Sequence, residues 1–599
     1  MRPLLPLATL LLVAPALAQE VTLALPPGTP PELRTVLENA SLTLSLEGEG
    51  LTAAQDFVAA ARADYRRLLT GLYAEGYYGG AISIAVDGRE AETIAPLDAP
   101  AAVSRVVLSV APGPRFAFGD LALGPTAPGT ALPPAFAPGA VARSETVRDA
   151  VRAAIAEWRA QGNAVAAVAS QDIAAVHPAS RLDVAVAIDP GPRLAFGPVT
   201  VTGNEDVRTA RILAIAGIPS GEVFSPATLE RAVTRLRRTG AFDAVAAVEG
   251  EPAAGALPIG LQVTESLPRR IGFAAEVSSQ DGLSAQAFWL HRNLLGGAER
   301  LRVEAEASNI EGEAFDGAGG GADLAVRLSF GRPAALDPDT DLTVEAEVSR
   351  EDAEDFLLDQ AALEVGFTRF ATDALTLSAA LGLVVAEEED LGGTSDFTLV
   401  TGPLSAEWDR RDDPLDARAG FYIDAEATPF LAAGGDAASG GRVYADARYY
   451  RTFGGRVTLA ARGQAGTLLG ASARDVPASF GFLAGGGGSV RGRSFQSIGV
   501  AVPEPDGGEA TLAGASLAGL QLEARVGIRG PLGAVAFYDA AAVGEGLFPD
   551  NDDEFGAGAG IGVRYDTAVG PIRLDLATPA SGDDAFGAVQ LYIGIGQSF

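Results

Sequence analysis

From residue 271 to residue 599 the chain is a succession of short segments in which apolar and polar residues alternate, with no helix-length apolar run among them. In 301–307, Leu301, Val303, Ala305 and Ala307 alternate with Arg302, Glu304 and Glu306. In 443–450, Val443, Ala445, Ala447 and Tyr449 alternate with Tyr444, Asp446, Arg448 and Tyr450. A period of two places one strand face in an apolar medium and the other in a polar one. A soluble sandwich shows the same alternation, so the number of strands decides. Strands are expected near 271–278, 283–291, 299–308, 321–330, 340–349, 356–369, 374–386, 396–409, 418–429, 440–453, 455–467, 514–529, 532–543, 555–566, 570–578 and 587–599, an even count of sixteen.

Short connections (NLLGG, ATD, TAVG) alternate with long or acidic ones (EGEAFDGAGGG, PFLAAGGDAASGG, FPDNDDE), and one connection, 468–513, exceeds all others. Short turns on one side and long loops on the other are the asymmetry of an outer-membrane barrel, whose closed hydrogen bonding lets strands cross a bilayer. The expected fold is therefore an all-β, sixteen-stranded antiparallel transmembrane barrel over 270–599, with 468–513 as its sixth outer loop. Phe599, sharing parity with Leu591, Ile593 and Ile595, reads as an aromatic C-terminal signal.

The first half has a different period. Met1-Arg2, the apolar stretch Leu4–Leu17 and Ala16-Leu17-Ala18 read as an export signal over 1–18. VAPGPRFAFG at 110–119 recurs as IDPGPRLAFG at 188–197, with a fainter copy, VTESLPRRIGF, at 263–273. A helical pattern ending in glycine recurs in step, at Gly76, Gly162 and Gly240. Val147, Val151, Ile155 and Trp158 make one helix face, and Leu229, Val233 and Leu236 another. Each unit reads strand, helix, helix, strand, strand. Three units are expected, at 19–112, 113–191 and 192–269, and they read as docking modules whose strand edges pair with an extended client.

Composition removes most chemistry. No Cys is present, and all 44 basic residues are arginine. Thiolate metal sites, thiol nucleophiles and lysine Schiff bases are excluded, and two histidines, His177 and His291, cannot build a histidine-rich metal centre. No enzyme, cofactor or metal is expected. A net charge of −33 argues against nucleic acid. The acid is concentrated in the barrel half, which carries −27 against −7 for 19–269.

The long loop holds GGGGSVRGRSFQSIG at 485–499. Val490-Arg491-Gly492 resembles the sixth-loop motif of the Omp85 superfamily, barrels that insert or secrete other outer-membrane proteins. Where the family has an aromatic next, this chain has Arg493, with Phe495 near enough to supply a ring. AFYDAAAVG at 536–544 resembles the family's Phe-x-Asp-x-Gly strand, with Phe537 and Asp539 matching and Ala541 in place of Gly. HRNLLGGAERL and DRRDDPLDARAG resemble family turns, and the three units resemble POTRA domains. With three units, the chain resembles the translocation and assembly module (TamA-like) branch.

That resemblance implies a cell outer-membrane barrel with periplasmic POTRA domains, in contact with outer-membrane lipid. Its implied partners are client outer-membrane proteins, autotransporters among them, and a TamB-like periplasm-spanning protein. The central barrel-assembly subunit usually has five POTRA units and the two-partner secretion translocator two; both remain alternatives, as does a passive channel of another class. From the residues themselves, Arg491 is expected to pair with Asp539, and secondarily Glu523, inside the lumen, holding the loop down. The first and last strands, at Ile271, Gly272 and Phe273 and at Ile593, Gly594, Ile595 and Gly596, are expected to meet in a seam weakened by glycine and to act as a lateral gate.

Overall fold

The computed structural model describes residues 20–48, 53–95, 98, 100–278, 282–310, 321–353, 355–503, 508–551, 553–567, 570–582 and 585–599. The expected export signal lies outside them. The chain divides into two compact units, one of residues up to 198 with 219–228 and 250–258, the other of 199–218, 229–249 and 259–599.

Three small α/β sheets precede a large one. The first contains β1 (Glu20–Ala24), β2 (Ala81–Val86), β3 (Arg89–Glu90) and β4 (Arg105–Ala111) in the order β1-β4-β2-β3, with helices α1 (Pro31–Ala40), α2 (Leu42–Gly48) and α3 (Ala54–Ala74). Leu33 and Leu37 of α1 and Phe57, Leu68 and Leu72 of α3 are buried with Ile84 and Leu108 of the sheet. The second contains β5 (Ala117–Gly124), β6 (Ala167–Val176) and β7 (Arg181–Asp189) in the order β5-β7-β6, with helix α4 (Ser144–Ala160). The third contains β8 (Ala195–Thr202), β9 (Phe242–Glu249) and β10 (Ala256–Glu265) in the order β8-β10-β9, with helices α5 (Thr209–Ala216) and α6 (Pro226–Arg238). Among the described residues, the two-helix pattern expected of every unit holds in the third, while the first has three helices and the second one. Pro125, Pro128, Pro133, Pro134 and Pro138 occupy the stretch between β5 and α4, and proline removes the N–H donors a helix needs.

The sequence repeat has a structural meaning. In its first copy, the Phe116 N–H donates to the Gly76 carbonyl at 2.8 Å, and the Phe116 carbonyl accepts from the Ala142 N–H at 3.0 Å. In its second copy, the Leu194 N–H donates to the Gly162 carbonyl at 2.9 Å, and the Leu194 carbonyl accepts from the Phe224 N–H at 2.9 Å. Each copy of the Pro-Gly-Pro-Arg motif thus clasps the glycine that ends the preceding module's helix.

In the other unit, the third module's helices meet the short turns of the large sheet. Arg235 donates two hydrogen bonds to Asp339, from Nε at 2.7 Å and Nη2 at 2.6 Å, and the Arg238 guanidinium lies 3.4 Å from the centre of the Phe370 ring. Burial lowers the Arg238 pKa below the ordinary arginine value.

The large sheet comprises β11 (Arg269–Ser278), β12 (Gly282–His291), β13 (Arg300–Ile310), β14 (Asp323–Arg332), β15 (Thr340–Asp352), β16 (Phe356–Phe370), β17 (Leu375–Asp390), β18 (Gly393–Thr401), β19 (Leu404–Asp409), β20 (Ala419–Gly435), β21 (Gly440–Phe453) and β22 (Val457–Leu469). A two-stranded hairpin of β23 (Val500–Pro503) and β24 (Glu509–Leu512) stands apart. The sheet resumes with β25 (Ser516–Arg529), β26 (Leu532–Gly544), β27 (Glu554–Tyr565), β28 (Ile572–Pro579) and β29 (Gln590–Ile595). Successive strands of the sheet are antiparallel neighbours, except that β18 and β19 both lie between β17 and β20.

The sheet has seventeen strand segments in the sixteen expected positions, because the segment 396–409 is broken into two halves that share one position. Gly402-Pro403 interrupts it, since Pro403 has no N–H for the ladder, and both halves pair with β17 and β20. A correction concerns the end of the chain. The expected strand 587–599 is only Gln590–Ile595. Gly596 adopts φ +92°, the direction changes, and Phe599 turns inward to pack with Tyr450, Ala417 and Ala460 rather than sharing the outward face of Leu591 and Ile593.

Candidate functional site: the long loop on the inward face of the sheet

The segment between β22 and β25 folds against the inward face. Its Val476, Phe482, Ala484, Val490 and Ile498 form one buried cluster with Leu399, Phe430, Leu517, Ala541 and Val543 of the strands. Ala541, where the resembling motif has Gly, is thus a contact of the loop.

The loop tip carries Arg491 into a fully buried charge cluster. Its Nε donates to Asp539 Oδ2 at 2.7 Å and its Nη2 to Asp539 Oδ1 at 2.9 Å. Nη1 donates to Glu523 Oε1 at 2.7 Å and to Asp575 Oδ2 at 3.3 Å. The guanidinium carbon lies 3.6 Å from the centre of the Phe537 ring. Two further arginines complete the cluster. Arg525 Nε donates to Glu523 Oε2 at 2.8 Å, and Arg564 donates to Asp575. Three guanidinium groups therefore meet three carboxylates, so the charges of these six groups offset one another. The alternation of the strands aims the five strand-borne groups inward, towards Arg491 of the loop. Glu523 and Arg525 share a face of β25, and Asp539 faces Gln521 across the β25–β26 ladder.

Glycine makes the close approach possible. Gly492, at φ +97°, donates its N–H to the Tyr592 hydroxyl at 3.1 Å, and a Cβ there would meet the Thr578 carbonyl at 2.6 Å. On β27, Gly556, Gly558, Gly560 and Gly562 alternate along the inward face. A Cβ on Gly558 would fall 1.8 Å from the Arg491 carbonyl oxygen, and one on Gly560 2.3 Å from the Phe537 ring. The sequence motifs do not single out these glycines, nor Asp575, Arg525 and Arg564. Their signal is the period-two run Gly-x-Gly-x-Gly-x-Gly in 556–562.

The other residues singled out are placed as follows. Val490 is fully buried. Arg493 reaches Ser581 Oγ at 3.5 Å. Phe495 is 45% exposed and does not supply the missing ring; Phe537 and Tyr592 are the rings against the tip. At the sheet ends, Ile271, Phe273 and Ile593 are exposed and outward. Gly272 lies under the Phe288 ring, and Gly594 beside the Arg573 guanidinium. Ile595 ends the β28–β29 ladder opposite Ile572, its side chain outside the described set. Cα atoms of β11 and β29 approach within 8 Å, and among the described residues no ladder joins the two strands.

The bent end of the chain reaches the same cluster. The Ser598 hydroxyl donates to Glu523 Oε1, Arg525 Nη2 donates to the Phe599 carbonyl at 3.2 Å, and Arg564 Nε donates to Gln597 Oε1 at 3.0 Å. Glu523 thus accepts from the loop, from its own strand and from the segment that follows the last strand.

Small α/β modules followed by a large antiparallel sheet with an inward-folded loop define a class of outer-membrane assembly and translocation proteins. Residues 293–599 match the Omp85 superfamily domain, and residues 195–266 match the POTRA family described as a surface antigen variable number repeat. The chain belongs to the Omp85 superfamily. Among solved structures, it is similar to BamA from Haemophilus ducreyi lacking POTRA domains 1–3, with a TM-score of 0.60 at 15% identity over 80% of this chain and 98% of that one. CdiB from Acinetobacter baumannii gives a TM-score of 0.49 at 10% identity over 80% and 89% of the two chains. CdiB from Escherichia coli gives 0.49 at 14% identity over 81% and 91%.

Proposed function

We propose that the protein is a TamA-like factor of the outer membrane, which receives clients on its periplasmic POTRA domains and inserts or secretes them through the seam between β11 and β29. The observation that carries this reading is the seam itself. Among the described residues, β11 forms a ladder with β12 and β29 with β28, and no ladder joins the two strands to each other, so a client strand would add at this seam. The three small sheets before the large one favour the TamA-like branch over a five-module insertase. The edge strand β6 is a suitable first docking edge, being exposed along most of its ten residues.

Autotransporters are the proposed clients and a TamB-like periplasm-spanning protein the proposed partner. The chain contains no cysteine, so engineered pairs report cleanly. Ile271→Cys with Ile593→Cys, oxidised in cells, is expected to stop autotransporter display at the surface, with recovery on reduction. Unchanged display with the seam locked overturns the seam mechanism. Loss of all outer-membrane barrels on depletion, rather than of autotransporters, favours the central insertase instead. Co-purification of the module region with a periplasmic extract tests the partner.

A further inference from the structure

The outward faces of β21, β22, β25 and β26 carry a groove of about 700 Å³ that the seam mechanism does not use. Its floor is made by Ala461, Ala524 and Ala536, and Tyr449 and Tyr538 stand beside it. The ladder register explains the hollow. Ala524 faces Ala536 directly, and Ala461 faces Tyr449, so methyl groups adjoin one another among large side chains.

Arg451 lines the groove at the end bearing the short turns, two residues before Phe453 closes β21. It shares parity with exposed Tyr449 and Phe453 and alternates with buried Tyr450, so it points outward. Two other outward arginines are matched: Arg350 pairs with Asp359, and Arg369 with Asp337. Arg451 has no carboxylate partner among the described residues, only the Phe453 ring at 5.3 Å. A guanidinium on the lipid-facing side of a barrel is costly unless it reaches an interface or an anion.

We propose that this groove is a binding site for one anionic phospholipid of the leaflet on the module side, with its phosphate on Arg451 and an acyl chain along the alanine floor. The proposal rests on the reading that the sheet spans the outer membrane. Charge complementarity selects the lipid over a second copy of the chain, because a two-fold interface centred here would bring two Arg451 side chains together.

The test is native mass spectrometry of the full chain released from micelles containing equal amounts of phosphatidylglycerol and phosphatidylcholine. One phosphatidylglycerol is expected to be retained in preference. Arg451→Gln is expected to lower its retention about fivefold, the effect of one basic residue near an anionic surface. Ala536→Phe, which fills the groove and keeps the arginine, is expected to lower it too, and Arg369→Gln to leave it unchanged. Equal retention by wild type and Arg451→Gln overturns the proposal. So does a dimer that Arg451→Gln dissolves, which makes the face a contact between copies. Insertion of the same proteins into phosphatidylcholine vesicles separates the two readings. Failure of the wild type to insert overturns the membrane reading, whereas lost lipid preference with intact insertion overturns the groove alone.

Discussion

Arg491 and Asp539, 48 residues apart in sequence, form a two-bonded guanidinium–carboxylate pair in which neither side chain is more than 1% exposed. The pair spans from the loop tip to β26, so it is the loop's principal tether. Removing one member of a buried pair strands the other, at a cost of about 3–5 kcal/mol. Arg491→Ala is therefore expected to lower the urea midpoint of the refolded protein and to expose 470–515 to protease. Asp539→Ala should do the same, and the exchange Arg491→Asp with Asp539→Arg should recover part of the loss. Unchanged midpoint and protease pattern in Arg491→Ala would show that the apolar contacts of Val490 and Phe482 hold the loop alone.

Gly558 tests the approach of the loop backbone to β27. Alanine there places a methyl 1.8 Å from the Arg491 carbonyl, a backbone atom that cannot rotate away. Gly558→Ala should unseat the tip while leaving all six charged residues in place. Hydrogen exchange at 489–493 is expected to rise without a change in exchange across β12–β16.

Asp339 gives a pH dependence. The hydrogen bond from Arg235, and then its charge, hold the carboxyl below the usual aspartate range. A depressed folded pKa contributes stability above the unfolded value of about 3.9, and that contribution is lost as pH falls through the folded value. The contact between α6 and the 333–339 turn should persist at neutral pH and loosen only below about pH 4. Arg235→Gln should loosen it at neutral pH, read as faster exchange in 333–340. Because both partners are partly exposed, the effect on global stability is expected to be small.

β6 offers a separate prediction. Val168 and Ile173 are 39% and 38% exposed on an edge strand. Ile173→Lys blunts an edge against pairing, as natural edge strands do. It should reduce capture of an unfolded client by the isolated full chain, while stability changes by no more than about 0.5 kcal/mol. Undiminished capture would move the docking edge elsewhere.

Much of this site is legible from alternation alone. The parity of Glu523, Phe537 and Asp539 directs them inward, and the glycine-rich loop at 485–499 marks an unusual backbone. Asp575, Arg525 and Arg564 are not legible in the same way, because their convergence depends on which strands lie side by side and in what register. Gly402-Pro403 lies within a segment whose flanks keep the strand period, so the break is local chemistry rather than pattern. The prolines of 125–138 likewise override an expectation carried over from neighbouring units.

The bend at Gly596 is the sharpest conflict between pattern and backbone. The alternation that makes Leu591 and Ile593 outward continues to Phe599, yet φ +92° at Gly596 sends Phe599 inward. A Cβ at Gly596 would meet nothing within 4 Å, so Gly596→Ala carries no steric penalty beyond the left-handed backbone. That penalty is about 1–2 kcal/mol, enough to shift a balance between bent and straight forms by roughly five- to thirtyfold. Straightening would free the Tyr450 pocket and lengthen β29 beside β11. The rate of disulfide formation between Ile271→Cys and Ile593→Cys is therefore expected to rise in the Gly596→Ala background. Phe599→Ala, which weakens the inward anchor by a different route, should raise it as well. If both substitutions leave the rate unchanged, the inward segment does not control the seam.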